Sequence, residues 1–464
     1  MERNTGSFRD PSGYVFEKDG FILRSVNSIY KDHFETFVQS GLYQHLVESG
    51  SLLQFKESEH SVDGAWKTLK IEKLPFISYP YEWSFQQLKD VALLTLRIQK
   101  AALDYGMILK DATAYNVQFC KGKPIFIDLL SFEKYQDGTP WNAYRQYISH
   151  FYAPLLLMSK VDIRYGTLLR NFLDGFPIDF ASQSLPWQTR WSPTIQLHVH
   201  LHAKMIKKYE NTQGRSEKVE VRNKRFSLVS HKTMAEGLFD ATADIKSPSQ
   251  TTEWGDYYND TNYNDVGFQE KKKIIEEICV RVAPRVACDF GANLGEFSRI
   301  FAKHAEVVLS PDIDPVAVER NYLLVKNNKE TNIYPVIQDL CNPSPGIGWR
   351  NLERNSFIDR TKCDLAAGLA LIHHLCIGNN LPLDFVADLF ASVADNVILE
   401  FVPKEDSQVQ RLLSSREDIF PGYDLERCIQ SFGRYFRSCE RFAITDSTRT
   451  ILFFSERNNT KLLS

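Results

Sequence analysis

Ala287-Cys-Asp-Phe-Gly-Ala-Asn-Leu-Gly-Glu-Phe-Ser298 reads as a short buried strand ending at Asp289, a turn punctuated by Gly291 and Gly295, and the start of a helix. Glycines in such a turn let a ligand come up against backbone where side chains would collide, which is the layout of a nucleotide-sized pocket. About twenty residues on, a second apolar run, Val307-Val-Leu-Ser-Pro-Asp-Ile-Asp314, ends in an acidic pair. An acid at the end of the second strand is where a ribose diol is hydrogen-bonded.

Outward from this pair, strand-like runs at 285–289, 306–310, 333–337, 364–369 and 396–401 alternate with helical patterns at 268–282, 315–327 and 383–393. Two more strand-like runs follow at 441–444 and 450–454. The alternation predicts right-handed crossovers and an α/β, Rossmann-like domain with a mostly parallel seven-stranded sheet, its ligands at the carboxyl ends of the strands. Upstream, residues 1–210 are aromatic-rich and mixed, with a helix over 84–105 marked by Leu88, Val91, Leu94 and Ile98 at helical spacing. They predict an α+β domain. Between the two, residues 211–252 turn polar and lose apolar periodicity, which reads as a linker. The expected organisation is therefore 1–210, 211–252 and 253–464.

At 464 residues the chain is too long for one ordinary core. Its net charge of -3 gives no basic field for nucleic acid, which is not an expected partner. The eight cysteines include no C-x-x-C pair and read as small core residues of a reducing compartment, so neither disulfides nor a metal site is expected. The N-terminus carries no apolar signal core, and no apolar run reaches the ~18 residues of a membrane span. A cytoplasmic protein with no membrane span is the expectation.

The C-terminal motifs together resemble the class I S-adenosylmethionine-dependent methyltransferases, over roughly residues 253–464. Asp289-Phe-Gly-Ala-Asn-Leu-Gly matches that family's first motif, and Asp312 falls at its ribose-binding acid. Asp339 stands after the third strand, where the adenine amino group is commonly met, and Asp364-Leu-Ala-Ala-Gly-Leu-Ala-Leu-Ile-His-His-Leu looks like the fourth motif. The resemblance implies S-adenosylmethionine as cofactor, with Asp289 toward its methionine end, Gly291, Asn293 and Gly295 shaping the loop, Asp312 at ribose, Asp339 at adenine, and Asp364 in the same set. One departure is Asn293 in place of the usual middle glycine. Asparagine tolerates the left-handed conformation, so the turn survives. The change weighs against a nicotinamide dinucleotide, whose pyrophosphate needs its closest backbone approach at that glycine.

Several of these residues also have plainer readings. Asp312 and Asp314 compete for the ribose role; Asp312 is favoured, because Asp314 precedes Pro315 and suits a helix N-cap. His373 and His374 are neighbours, whose side chains diverge too far to chelate one ion, so a structural or substrate-pocket role is expected. A sulfonium methyl is already activated, and a general base is needed only for a hydroxyl or a protonated amine. His373, His374 and Glu400 are the candidates by motif position, with Glu400 facing the acceptor or paired locally. The tyrosine-rich segment Trp254-Gly-Asp-Tyr-Tyr-Asn-Asp-Thr-Asn-Tyr263 is either a lid over the pocket or a turn packed on the sheet.

A second constellation lies upstream. Asp111, then Asn116 five residues later, then a turn at Lys121-Gly-Lys-Pro124 and Asp128 ending an apolar strand resemble the catalytic core of kinase-like phosphotransferases. In that family the first Asp is the base, while the Asn and second Asp hold magnesium. The departures are Leu-Lys-Asp for His-Arg-Asp, Asp128-Leu-Leu for Asp-Phe-Gly, and no glycine-rich loop in the first sixty residues; a strand lysine is Lys67 or Lys70. The plainer reading makes Asp111 and Asn116 turn formers and Asp128 a strand-end cap.

The chain as a whole resembles the rhizobial host-specific nodulation proteins of the NoeA family. The segments that carry this are Leu109-Lys-Asp-Ala-Thr-Ala-Tyr-Asn-Val-Gln-Phe119, Pro124-Ile-Phe-Ile-Asp-Leu-Leu-Ser-Phe-Glu133 and Glu400-Phe-Val-Pro-Lys-Glu-Asp406. That resemblance implies a part in making or modifying a host-recognised signal. The expected function is methyl transfer to an unidentified small-molecule, glycan or lipid-type acceptor. The alternatives are a magnesium- and ATP-dependent phosphotransferase using the N-terminal half, or a non-catalytic cofactor-binding protein.

Overall fold

The computed structural model describes residues 2–60, 62–212, 226–248, 265–414, 417–458 and 462. The chain divides into two units, Met1–Ser249 with Gly348–Arg354, and Gln250–Ile347 with Asn355–Ser464. The segment 254–263, read as a lid or a packed turn, lies outside the described residues, as do 213–225 and 249–252 of the expected linker.

The first unit opens on an antiparallel sheet of β1 (Glu2–Arg3), β2 (Val15–Lys18), β3 (Phe21–Asn27), β4 (Phe55–Glu57) and β5 (Ala65–Ile71), in the order β1-β2-β3-β5-β4. The helix Phe85–Asp104 follows. Ser84 and Gln87 cap it reciprocally, the Gln87 side chain accepting from the Ser84 N–H at 2.9 Å. Its apolar positions, Leu88, Val91, Leu94 and Ile98 among them, are buried. Beyond it β6 (Met107–Leu109) pairs with β9 (Phe132–Lys134), and β7 (Val117–Cys120) pairs with β8 (Lys123–Phe126) through a turn in which Lys121 and Gly122 both have positive φ. These two short ladders fix Asp111, Asn116 and Asp128 in space.

Part of the stretch read as a linker is a helix, Leu228–Ala243. Its inward positions, His231, Ala235, Leu238 and Thr242, recur at helical spacing but only Leu238 is large and apolar, so the apolar signal was faint. It is held by polar ties: the Lys89 ammonium donates to the Ala243 and Ile245 carbonyls (2.6 and 2.7 Å), and the Tyr147 and Thr242 hydroxyls meet at 2.8 Å.

The second unit is built on β10 (Val286–Phe290), β11 (Val307–Asp312), β12 (Ile333–Ile337), β13 (Cys363–Gly368), β14 (Ala394–Phe401), β15 (Phe436–Ala443) and β16 (Thr450–Arg457). They form one sheet in the order β12-β11-β10-β13-β14-β16-β15. The first five are parallel, and β16 runs antiparallel to both neighbours. The sheet is therefore mixed: residues 444–449 between β15 and β16 are far fewer than the dozen or so a parallel crossover needs. Strands β10, β11 and β12 are buried along their whole length, as a sheet covered on both faces requires. One face packs Ile275, Ile278 and Cys279 of the helix Asp265–Val282 against Ala287, Val308 and Leu365. An aromatic chain, Phe290 on Phe390 and Phe390 on Phe432 with ring centroids 5.4 and 5.9 Å apart, joins β10 to the helices Leu383–Val393 and Leu425–Gly433.

Candidate functional site

The carboxyl ends of β10 to β13 open into a cavity of about 240 Å³. Gly291, Asn293, Asp312 and Asp339, all expected near a cofactor, line it together with Gln338 and His374. Ile313, Leu369, Leu371 and Leu375 supply apolar wall.

The loop after β10 owes its shape to left-handed residues. Gly291 has φ +73°, and a Cβ there would sit 3.2 Å from Leu371 Cδ1. Asn293 stands at φ +50°, the conformation its residue type tolerates. The loop is tied to the end of β11: the Gly291 and Ala292 N–H groups donate to the Pro311 carbonyl (3.0 and 3.1 Å), and the Asn293 N–H donates to Asp312 Oδ2 (2.8 Å). Asp312 Oδ1 accepts from the Asp314 N–H at 2.9 Å, while Asp314 Oδ1 caps the next helix by accepting from the Val316 N–H at 2.9 Å. Burial pushes the Asp312 carboxyl up to about 6, against the pull of the backbone amides it accepts from. Its two oxygens offer about four acceptor directions, of which the Asn293, Ile313 and Asp314 amides engage part. Asp339, on the next strand end, turns the chain by accepting from the Cys341 N–H at 2.8 Å.

Three expected residues do not line the cavity. Gly295 has φ +78°, but what a Cβ would strike is Asn321 Oδ1 at 2.5 Å, so this glycine serves helix packing. Asp289 lies beneath the loop, accepting from the Ser298 hydroxyl at 2.6 Å, with Ser310 and Asn321 continuing the chain at 2.8 and 2.9 Å. Burial raises its carboxyl to about 7. Asp364 is a correction. It is the second residue of β13, at the end away from the cavity, and its Oδ2 accepts the N–H groups of Arg285 and Val286, both at 2.8 Å. It pins the start of β10.

The three candidate bases part company. His374 lines the cavity, and burial and then Arg449 depress its imidazole to about 4, so it is neutral near pH 7. His373 is fully buried behind it, the ring centroids 4.1 Å apart, and neither of its ring nitrogens has a hydrogen-bond partner among the described residues. Glu400 is paired locally. It accepts from the Lys271 ammonium and, at 3.2 Å, from Arg449, which also binds Asp406 at 2.8 Å. All four side chains are at most 4% exposed. A carboxylate held by two buried cations is poorly placed to take a proton from an acceptor. Lys271 was not singled out in the sequence. It falls in register with Phe268, Ile275 and Ile278 on the apolar face, and that register was the available signal.

In the first unit, the structure does bring Asp111, Asn116 and Asp128 together. Asp111 accepts from the Thr113 N–H at 3.0 Å and from the Asn116 side chain, and burial and then Asp128 raise its carboxyl. Asn116 in turn donates to the Ser131 hydroxyl at 3.2 Å, which donates to Asp128. Arg24 of β3, missed in the sequence, pairs with Asp128 at 2.7 Å and is itself buried. Lys67 pairs with Glu57, and Lys70 lies 3.2 Å over the Phe21 ring.

No protein-family model matches the chain. Nodulation protein NoeA of Rhizobium meliloti (strain 1021) is 34% identical to it over 460 residues, 97% of this chain and 96% of that protein. Among solved structures, the bifunctional kinase-methyltransferase WbdD is 20% identical with a TM-score of 0.29, over 41% of this chain and 40% of that one. The N-methyltransferase NodS from Bradyrhizobium japonicum WM9 is 12% identical with a TM-score of 0.31, over 42% of this chain and 99% of that one.

Proposed function

The chain belongs to the NoeA family of nodulation proteins, and on that premise we propose that its second unit transfers a methyl group from S-adenosylmethionine to an acceptor used in nodulation. The observation that carries the reading is the cavity at the carboxyl ends of β10 to β13, with two carboxylates, Asp312 and Asp339, on adjacent strand ends. Such a pair suits a nucleoside: Asp312 accepts from ribose hydroxyls and Asp339 from an exocyclic amine, while Ile313 and Leu371 flank a flat base. Gly291 and Asn293 keep the loop free of large side chains where the ligand approaches.

The cofactor, when bound, supplies an activated sulfonium methyl. The residues of the chain then bind, orient and exclude water. His374 is the candidate base that lines the cavity; its imidazole, neutral near pH 7, can accept a hydrogen bond from an acceptor, while its depression to about 4 makes it a weak base. Asp289 holds the loop from below through Ser298 and acts on the cavity's shape. The phosphotransferase reading is not favoured, because Asp128 already has a buried guanidinium partner in Arg24.

The test is calorimetric titration with S-adenosylmethionine and S-adenosylhomocysteine. Micromolar affinity in the native chain, weakened about tenfold or more in Asp312→Ala by loss of hydrogen bonds to a charged group, is the expected result. No binding of either compound to the native chain ends the methyltransferase reading.

A further inference from the structure

The first unit carries an apolar surface that the proposed methyl transfer does not use. Residues 193–212 form one continuous helical rod. Its inward side is anchored: Ile195, Val199 and Ala203 are buried, His198 Nδ1 meets the Tyr144 hydroxyl at 2.7 Å, and His200 meets the Ser182 and Thr189 hydroxyls at 2.8 and 2.9 Å. Its outward side repeats every four residues as Leu197, Leu201 and Met205, which are 57, 39 and 60% exposed. The helical turn Trp187–Trp191 packs on the same rod and exposes Trp187 at 64% and Trp191 at 77%. Five large apolar side chains exposed on the rod and on the turn packed against it are more than scattered exposure accounts for.

The charge around them is one-sided. Residues 180–209 contain no Asp or Glu and hold Arg190, Lys204, Lys207 and Lys208, so that from Asp179 to Glu210, the acids that bound the stretch, cations outnumber acids four to two. Burial keeps the three histidines of the rod neutral near pH 7, so the positive charge comes from these four residues. Tryptophans, an aliphatic stripe and flanking lysines on a helix lying along the surface are the pattern of an interfacial helix: the rings and aliphatic chains enter the headgroup boundary and the cations meet anionic lipid.

We propose that this face docks the protein reversibly on an anionic lipid bilayer. It lies on the surface of the membrane; no helix among the described residues is long and apolar enough to cross one. The chain as a whole is acidic, so this cation-rich stretch also sets the orientation in which it approaches.

The test is co-sedimentation of the full-length chain with vesicles of phosphatidylglycerol and phosphatidylcholine, and with vesicles of phosphatidylcholine alone. Partition into the anionic vesicles about tenfold or more above the neutral ones, lost at high salt and accompanied by a blue shift of tryptophan emission, is expected. Lys204→Ala and Lys207→Ala each weaken it about fivefold. Trp191→Ala with Leu197→Ala, both at exposed positions, weaken it by about tenfold or more at an unchanged melting temperature. Absence of binding to either vesicle by the native chain overturns the proposal, as does equal binding to both. A concentration-dependent dimer in light scattering that the Trp191 and Leu197 substitutions abolish assigns the face to a second copy of the chain and overturns it too.

Discussion

Asp312 does two jobs with one carboxylate. It ties the glycine loop to the end of β11, and it faces the cavity. Burial raises it to about 6, so it is mostly ionised at pH 7 and mostly protonated at pH 5. Only the ionised form accepts freely from ribose hydroxyls. Affinity for S-adenosylmethionine should therefore weaken as pH falls through 6, approaching tenfold by pH 5, about what one unit below a pKa removes. Calorimetry from pH 5 to 8 reads this directly, with Asp312→Asn as the flat control; a flat native profile removes Asp312 from the ribose role. A second residue-scale expectation concerns Gly295. Alanine there must take φ +78° and crowd Asn321, at a cost of about 1–3 kcal/mol in a chemical melt. Gly237→Ala, helical and with open space around it, should gain about 0.5–1 kcal/mol in the same assay. What could be read at this scale was what residue type alone decides: Asn293 in a left-handed turn and Asp314 as an N-cap both stand as expected. Asp364 was misassigned although the run 364–369 already put it at the start of its strand, opposite the carboxyl ends where the ligand was expected; the motif likeness outweighed the position.

At the scale of elements, the strands and helices of the second unit that are apolar at their own period were legible, whereas the run 441–444 caught only the end of the half-exposed β15 and the helix Leu425–Gly433 was not read. The run 333–337 is β12 as expected, and the helix over 383–393 is likewise found there. The helix Leu228–Ala243 was not legible, since its inward face has only Leu238 as a large apolar residue among alanine, threonine and histidine, and its anchors are hydrogen bonds. Nor was the buried charge chain that joins the helix Asp265–Val282 to β14 and to the β15–β16 connection through Lys271, Glu400, Arg449 and Asp406. Its partners are over a hundred residues apart between Lys271 and Glu400, and no local pattern announces it. Burial lowers the affinity of Lys271 for its proton, and Glu400 opposes that shift. Glu400→Gln leaves Lys271 buried without its counter-charge, and should cost about 3–5 kcal/mol in urea denaturation. Lys271→Met with Glu400→Leu removes the isolated charge and should recover most of that loss. A single-variant loss below about 1 kcal/mol would show that water reaches the chain and that it does not brace the sheet.

For the whole molecule, the question is which unit does chemistry. The second has a cavity with two carboxylates on its rim; the first has its acids already engaged. A divalent cation at Asp128 has to compete with Arg24, whose side chain is 10% exposed, and leaves that guanidinium with only the longer contact to Asp10 at 3.8 Å, which is unfavourable for a largely buried charge. Asp111 beside it is biased toward its neutral form by burial and by Asp128, which further weakens a metal site. The native chain should therefore show no magnesium-dependent binding of ATP in calorimetry at millimolar nucleotide. Asp128→Ala should leave the affinity for S-adenosylmethionine unchanged, because that affinity is proposed to reside in residues of the second unit. Micromolar binding of magnesium-ATP, lost in Asp128→Ala, would reverse the assignment: Arg24 would then be a side chain that moves aside for the metal, and the first unit would be the phosphotransferase that Asp111, Asn116 and Asp128 resemble.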